Sequence, residues 1–244
     1  MAGITYALLL RSLRAVLRDR GRLAVGVLAG PILLVLTAPV AEAGYPLRIC
    51  ATSVALVASS IGAGMVIGCA AMRDRATGFA HALILSRHGG IGAALAVPLS
   101  AAVIGAVSAA VAYGLSPLVR QPVALANLLP ACAWVGLSAA CVASVAAATG
   151  WSARVSGSEW GCGILALLML GLSGALVPYP ILTSPLRALC WLNPMWYASG
   201  PLSTVCGVLG PSVSEPVAGA VLSALVTAST AWLIRLSSTL APIA

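Results

Sequence analysis

The chain has 244 residues, 61% hydrophobic and 7% charged, with net charge +8 and a mean hydropathy of +1.06; soluble domains run about 45–50% apolar and about 25% charged. Five acids and thirteen bases cannot solvate a globular surface, so soluble, disordered and fibrous classes are excluded and an all-α membrane protein remains. All thirteen bases are Arg, so no amine is present for a Schiff base, a lysine general base or a P-loop, and a GC-rich coding bias accounts for the preference without a functional cause.

Residues 1–22 lack a small-residue cleavage site after a short apolar core, which excludes a secretory signal. They read as a cytoplasmic interfacial amphipathic helix. Tyr6, Leu10, Leu13 and Leu17 share one side, while Arg11, Arg14 and Arg18 cluster on another, the arrangement that lets a helix lie on anionic membrane lipid. A merely solvated basic tail is the plainer alternative. Residues 23–236 form one membrane domain, with six apolar segments near 23–41, 49–71, 91–115, 128–149, 161–177 and 217–236, each set against a hydrocarbon thickness of about 30 Å.

Basic residues are retained on the cytoplasmic side. With the N-terminus inside, ten Arg (11, 14, 18, 20, 22, 73, 75, 87, 154 and 235) lie inside, and only Arg48, Arg120 and Arg187 lie outside. The short tail 237–244 is then also cytoplasmic, and the expected location is the cell (inner) membrane.

Between the second and third segments, residues 72–90 form the most charged inner loop. Phe79 and Leu83 fall on one side at i, i+4, suited to a partner groove; a positively charged loop is also simply what an inner loop is. The stretch 178–212 is apolar without spanning, so it is expected to be buried in protein or to dip into the interface. Pro185 after Ser184 starts a short helix and Asn193-Pro194 breaks it, giving two short re-entrant outer helices before the last span. Trp191, Trp196 and Tyr197 suit an aromatic belt.

No acid is securely inside a span: Glu42 and Glu215 sit at outer ends, and Asp19, Asp74 and Glu159 at inner ones. A proton-coupled carrier or an acid-ringed channel therefore lacks its residue. The seven Cys form no Cys-x-x-Cys, and His81 and His88 are the only histidines, so no metal site is expected; Cys190 and Cys206 are open to pairing. Gly26-x-x-x-Gly30, Ser60-x-x-x-Gly64 and Gly64-x-x-x-Gly68 permit close helix approach, between the first two spans and partly at a dimer seam.

Three features in order resemble the permease subunit of an ABC-2 type exporter: the basic amphipathic N-terminal helix, Arg73-Asp74-Arg75-Ala76-Thr77 after the second span, and Leu186-Arg187-Ala188-Leu189-Cys190-Trp191-Leu192-Asn193-Pro194-Met195-Trp196-Tyr197-Ala198 before the last. The resemblance implies a drug, antibiotic or polysaccharide type of exporter, with a second permease chain and two separate ATPase subunits that hold ATP and Mg. Catalysis would then reside on the partner and no cofactor or nucleic acid on this chain. Arg73, Asp74, Arg75, Thr77, Phe79, Leu83 and Arg87 would belong to the ATPase-coupling element, and Leu192, Asn193, Pro194, Trp196 and Tyr197 to an outer gate. Similar permeases carry Gly where Ala76 stands and an acid where Phe79 stands. Ser53, Ser60, Met65, Leu168 and Ser173 are expected along a translocation path for an amphipathic or lipid-like cargo. A non-transporting scaffold or immunity protein, or an ATP-independent carrier, are the alternatives.

Overall fold

The structure, a computed structural model, describes residues 2–42, 51–77, 89–119, 124–153, 159–177, 182–207 and 213–240. Among them all regular structure is helical: α1 (Ala2–Arg18), α2 (Arg20–Leu23), a π-helical turn (Ala24–Leu28), α3 (Ala29–Glu42), α4 (Ala51–Ala76), α5 (Gly89–Leu115), α6 (Leu128–Ala153), α7 (Glu159–Gly171), α8 (Ser184–Leu192), α9 (Pro194–Val205) and α10 (Glu215–Leu240). Short 3-10 turns occupy Ser116–Val119 and Leu125–Asn127.

Asp19 separates the N-terminal helix from the first long one. It leaves helical geometry at φ −96°, ψ 105°, and its Oδ1 accepts from the backbone N–H of Gly21 at 3.0 Å and of Arg22 at 3.2 Å. This is a side-chain N-cap that satisfies orphan donors of the next helix. The helical run then passes through the π turn, and Ser108 of α5 donates to the Val27 carbonyl there at 2.8 Å. A π turn changes the hydrogen-bond register of the carbonyls around it, so this contact places a donor where the ladder is perturbed.

Among the described residues, five helical stretches are long and apolar enough to cross a membrane: Arg20–Pro39, Ala51–Asp74, Gly90–Leu118, Leu125–Trp151 and Glu215–Ser237. The expected fifth segment differs. Its helix, α7, has 13 residues and so a length of about 20 Å, short of the thickness expected of a complete crossing. The stop is local chemistry that an apolar count overlooks. The Ser173 hydroxyl donates back to the Leu170 carbonyl at 2.7 Å and accepts from the Ala175 N–H at 3.2 Å, while Gly174 takes φ 77°, left-handed backbone that glycine adopts without a Cβ penalty.

Helix α4 lies at the centre. Leu56, Val57, Ile61 and Met65 pack with Val135 and Val142 of α6, Met195 and Leu202 of α9 and Leu222 of α10. The approach is close enough to require glycine. A Cβ on Gly64 would stand 2.5 Å from the Val142 Cβ, and one on Gly62 2.5 Å from the Val25 carbonyl oxygen. The Gly64-x-x-x-Gly68 spacing meets α6 within one chain, with Gly68 facing Ala146. Gly30 lies against Ala55 and Ser59 of α4, so the first two spans do pack tightly.

Replacing Gly64 with Val overpacks the α4–α6 seam and is expected to lower Tm in detergent by about 3–10 °C, from a cost of roughly 1–3 kcal/mol. Gly163→Val, at a position with open space around it, leaves Tm within about 1 °C by the same scaling. Scanning fluorimetry on both variants checks the contrast.

Candidate functional site

Two clusters of polar side chains lie one toward each end of α4. At the Arg73 end, the expected loop from residue 72 begins as helix: α4 runs to Ala76, so Arg73 and Asp74 ride on the last turns of a long rigid element. Thr77 closes it, donating its hydroxyl to the Arg73 carbonyl at 3.1 Å. That places Thr77 as a helix-terminating residue. Phe79, His81, Leu83, Arg87 and His88 lie outside the described residues, as does the side chain of Arg75.

Asp74 is paired with the N-terminal helix. Arg11 Nη1 donates to Asp74 Oδ2 at 2.7 Å and Nη2 to Oδ1 at 2.9 Å, a two-pronged contact spanning 63 positions of sequence. Hydrogen bonding to Asp74 holds the Arg11 guanidinium above its ordinary pKa, against a smaller opposing effect of partial burial. Arg14 and Arg18 stay exposed. The face that α1 buries carries Leu8 and Val16, with Leu13 partly buried. Tyr6 and Leu17 are exposed and Leu10 is half-buried, so the side read as facing lipid is largely distinct from the side that packs against the protein. The sequence signal for the packed side is Leu8-Ser12-Val16 at four-residue spacing.

At the Ala51 end, α8 and α9 meet at Asn193. Pro185 and Pro194 occupy the first turns of the two helices, positions that proline suits. Asn193 joins three elements: its Oδ1 accepts from the Met195 N–H at 3.0 Å, capping α9, and its Nδ2 donates to the Met169 carbonyl of α7 at 2.8 Å. Three further contacts pin α9. Ser199 donates to the Ser173 carbonyl, Ser203 and Ser53 of α4 share a hydrogen bond at 3.0 Å, and Asn127 Nδ2 donates to the Val205 carbonyl at 2.8 Å. Most of α9 is buried. Trp196 is only 3% exposed, packed with Leu182 and Cys190, which removes it from the expected aromatic belt. Trp191 and Leu192 are exposed, and Tyr197 donates its hydroxyl to the Trp191 carbonyl at 3.0 Å.

The five residues expected along a path occupy different surroundings. Ser53, Ser60, Met65 and Ser173 are buried in packed seams, Ser60 beside Ser138 of α6 at 2.7 Å, and Leu168 is exposed on α7. Cys190 and Cys206 form no disulfide with each other. Among the described residues no group of three or more His, Cys, Asp or Glu is placed to hold a metal. Sequence reasoning missed Asn127, Ser199 and Ser203, whose partners are backbone carbonyls and a hydroxyl on other elements.

No family model, curated protein or solved structure matches the chain.

Asn193→Ala removes a cap and leaves the Met169 carbonyl without its donor, a loss of about 1–3 kcal/mol, so Tm is expected to fall by about 3–10 °C. Asn193→Asp keeps the cap acceptor and is expected to fall between Ala and wild type. Thermal unfolding in nanodiscs, with Trp191→Ala as a surface control, reads the order.

Proposed function

We propose that this chain is the transmembrane permease subunit of an ATP-driven exporter of the ABC-2 type, acting as a dimer of permease chains with two separate ATPase subunits. It sits in the cell membrane with both termini cytoplasmic, and α7 together with the turn Leu172–Val177 makes a sixth crossing. The observation that carries the reading is the pair α8 and α9, hinged at Leu192-Asn193-Pro194 ahead of the last long helix, with the Arg73-Asp74 cluster at the opposite end of the central helix. A buried short helix pinned by side chains to α4, α7 and the Leu125–Asn127 turn suits a closed outer gate. The excess of Arg on the side assigned to the cytoplasm supports the orientation.

In this reading ATP closes the two partner subunits, and the segment from Arg73 to Arg87 receives their movement. Helix α4 carries it as a rigid lever from its Arg73 end to the Ser53–Ser203 contact, where α9 separates from α4 and the path opens, a shift between two packed states driven by differential affinity for nucleotide. Residues at that seam are hydroxyl or apolar, which favours an amphipathic or lipid-like cargo.

Purification of the tagged chain from its native membrane in mild detergent is expected to bring down a stoichiometric P-loop ATPase with vanadate-sensitive turnover. Phe79→Asp with Leu83→Asp releases that subunit and lowers turnover by about tenfold or more, the order expected when apolar anchors are replaced by charge. A lone chain, or a complex fully retained by the double variant, contradicts the assignment.

A further inference from the structure

We propose that the Arg11–Asp74 pair is a releasable latch that holds the N-terminal helix against the bundle, and that an acidic surface of a protein partner opens it. The inference stands on the pair's geometry and does not require the export reading.

Helix α1 has the parts of a two-position element. Its pivot is Asp19, where the backbone leaves helical geometry. Its buried anchors are few, chiefly Leu8 and Val16. Beside Leu8 lies a cavity lined by Ser12, Ala71, Ala94, Trp151 and Leu233 together with Arg11 and Asp74. Tight packing therefore does not extend along the whole face, and the two-pronged contact supplies what packing omits. The Arg11 and Asp74 side chains are 45% and 34% exposed. An ion pair that wet is worth little net free energy and is sensitive to competitors and salt, so it can exchange partners readily. A structural pair meant to be permanent is better served by burial.

The direction of release follows from charge. Arg14 and Arg18, about one and two turns along α1 from Arg11, are exposed, and the chain carries +8 overall. A partner carboxylate surface drawn to these Arg side chains competes with Asp74 for Arg11. Released, α1 swings about Asp19 and uncovers Val16.

The test uses the full-length Val16→Cys chain in nanodiscs of neutral lipid, with a water-soluble maleimide and peptide mass spectrometry to read the introduced thiol apart from the native cysteines. Val16 is 2% exposed, so labelling starts slow. Adding Arg11→Gln or Asp74→Asn is expected to speed it about three- to tenfold, the range for an exposed two-pronged ion pair, and the exchange Arg11→Asp with Asp74→Arg restores slow labelling. A decaglutamate peptide speeds labelling when Arg11 and Asp74 are both present and adds nothing to Asp74→Asn. Buried Cys141 reports the fold: if it too becomes reactive in a variant, the decision passes to the Val16→Cys chain alone in about 1 M NaCl, where screening acts within about 3 Å and labelling is expected to rise. Labelling unchanged by the single substitutions, or raised but not restored by the exchange, or indifferent to both decaglutamate and salt, overturns the latch.

Discussion

Everything else in this molecule depends on how closely α4 approaches its neighbours. Without water to solvate backbone groups in a hydrocarbon environment, and without a hydrophobic drive between helices there, association rests on shape and on hydrogen bonds. Gly62 and Gly64 remove the Cβ atoms that would collide with Val25 and Val142. Three α4 hydroxyls then bind neighbours at the short distances this permits: Ser53 to Ser203, Ser59 to Ser108 at 2.9 Å, and Ser60 to Ser138. A single helix is thereby tied to three others at fixed heights.

Two polar clusters touch this helix. At the Ala51 end α9 is buried in the apolar core through Met195 and Leu202 and, within that packing, takes directional contacts from Asn193, Ser199, Ser203 and Asn127. At the other end the Arg11–Asp74 contact joins α1 to the last turns of α4. Both clusters lie on the same rigid helix, one near its start and one near its end.

Composition made the membrane class and the central helices legible, because apolar runs such as 51–71 and 128–149 leave no other solvent compatible with them. The break at Asn193-Pro194 was legible for a local reason, since proline restricts the residue before it. What escaped the sequence was non-local or small. The helix stop at Ser173-Gly174 hid inside an apolar stretch, and the pairing of Arg11 with Asp74 joins positions whose separate readings, lipid contact and coupling loop, were each locally sensible. Trp196 suited an interface by residue type, yet its place on α9 buries it. The role of Asn127 depends on a carbonyl near the far end of α9, invisible to any local pattern.

Every functional assignment rests on the polarity of the bundle, with the Arg-rich end in the cytoplasm and the α8–α9 corner outside. Side-specific maleimide labelling tests it directly, using Leu192→Cys at the exposed hinge, 80% exposed, and Leu17→Cys on exposed α1, 66% exposed, in sealed vesicles of known orientation. The account predicts that an impermeant reagent outside right-side-out vesicles labels the new thiol of the Leu192→Cys chain and spares that of the Leu17→Cys chain, with the reverse in inverted vesicles. Labelling of both new thiols from one side, or of the Leu17→Cys thiol from the outside alone, contradicts it.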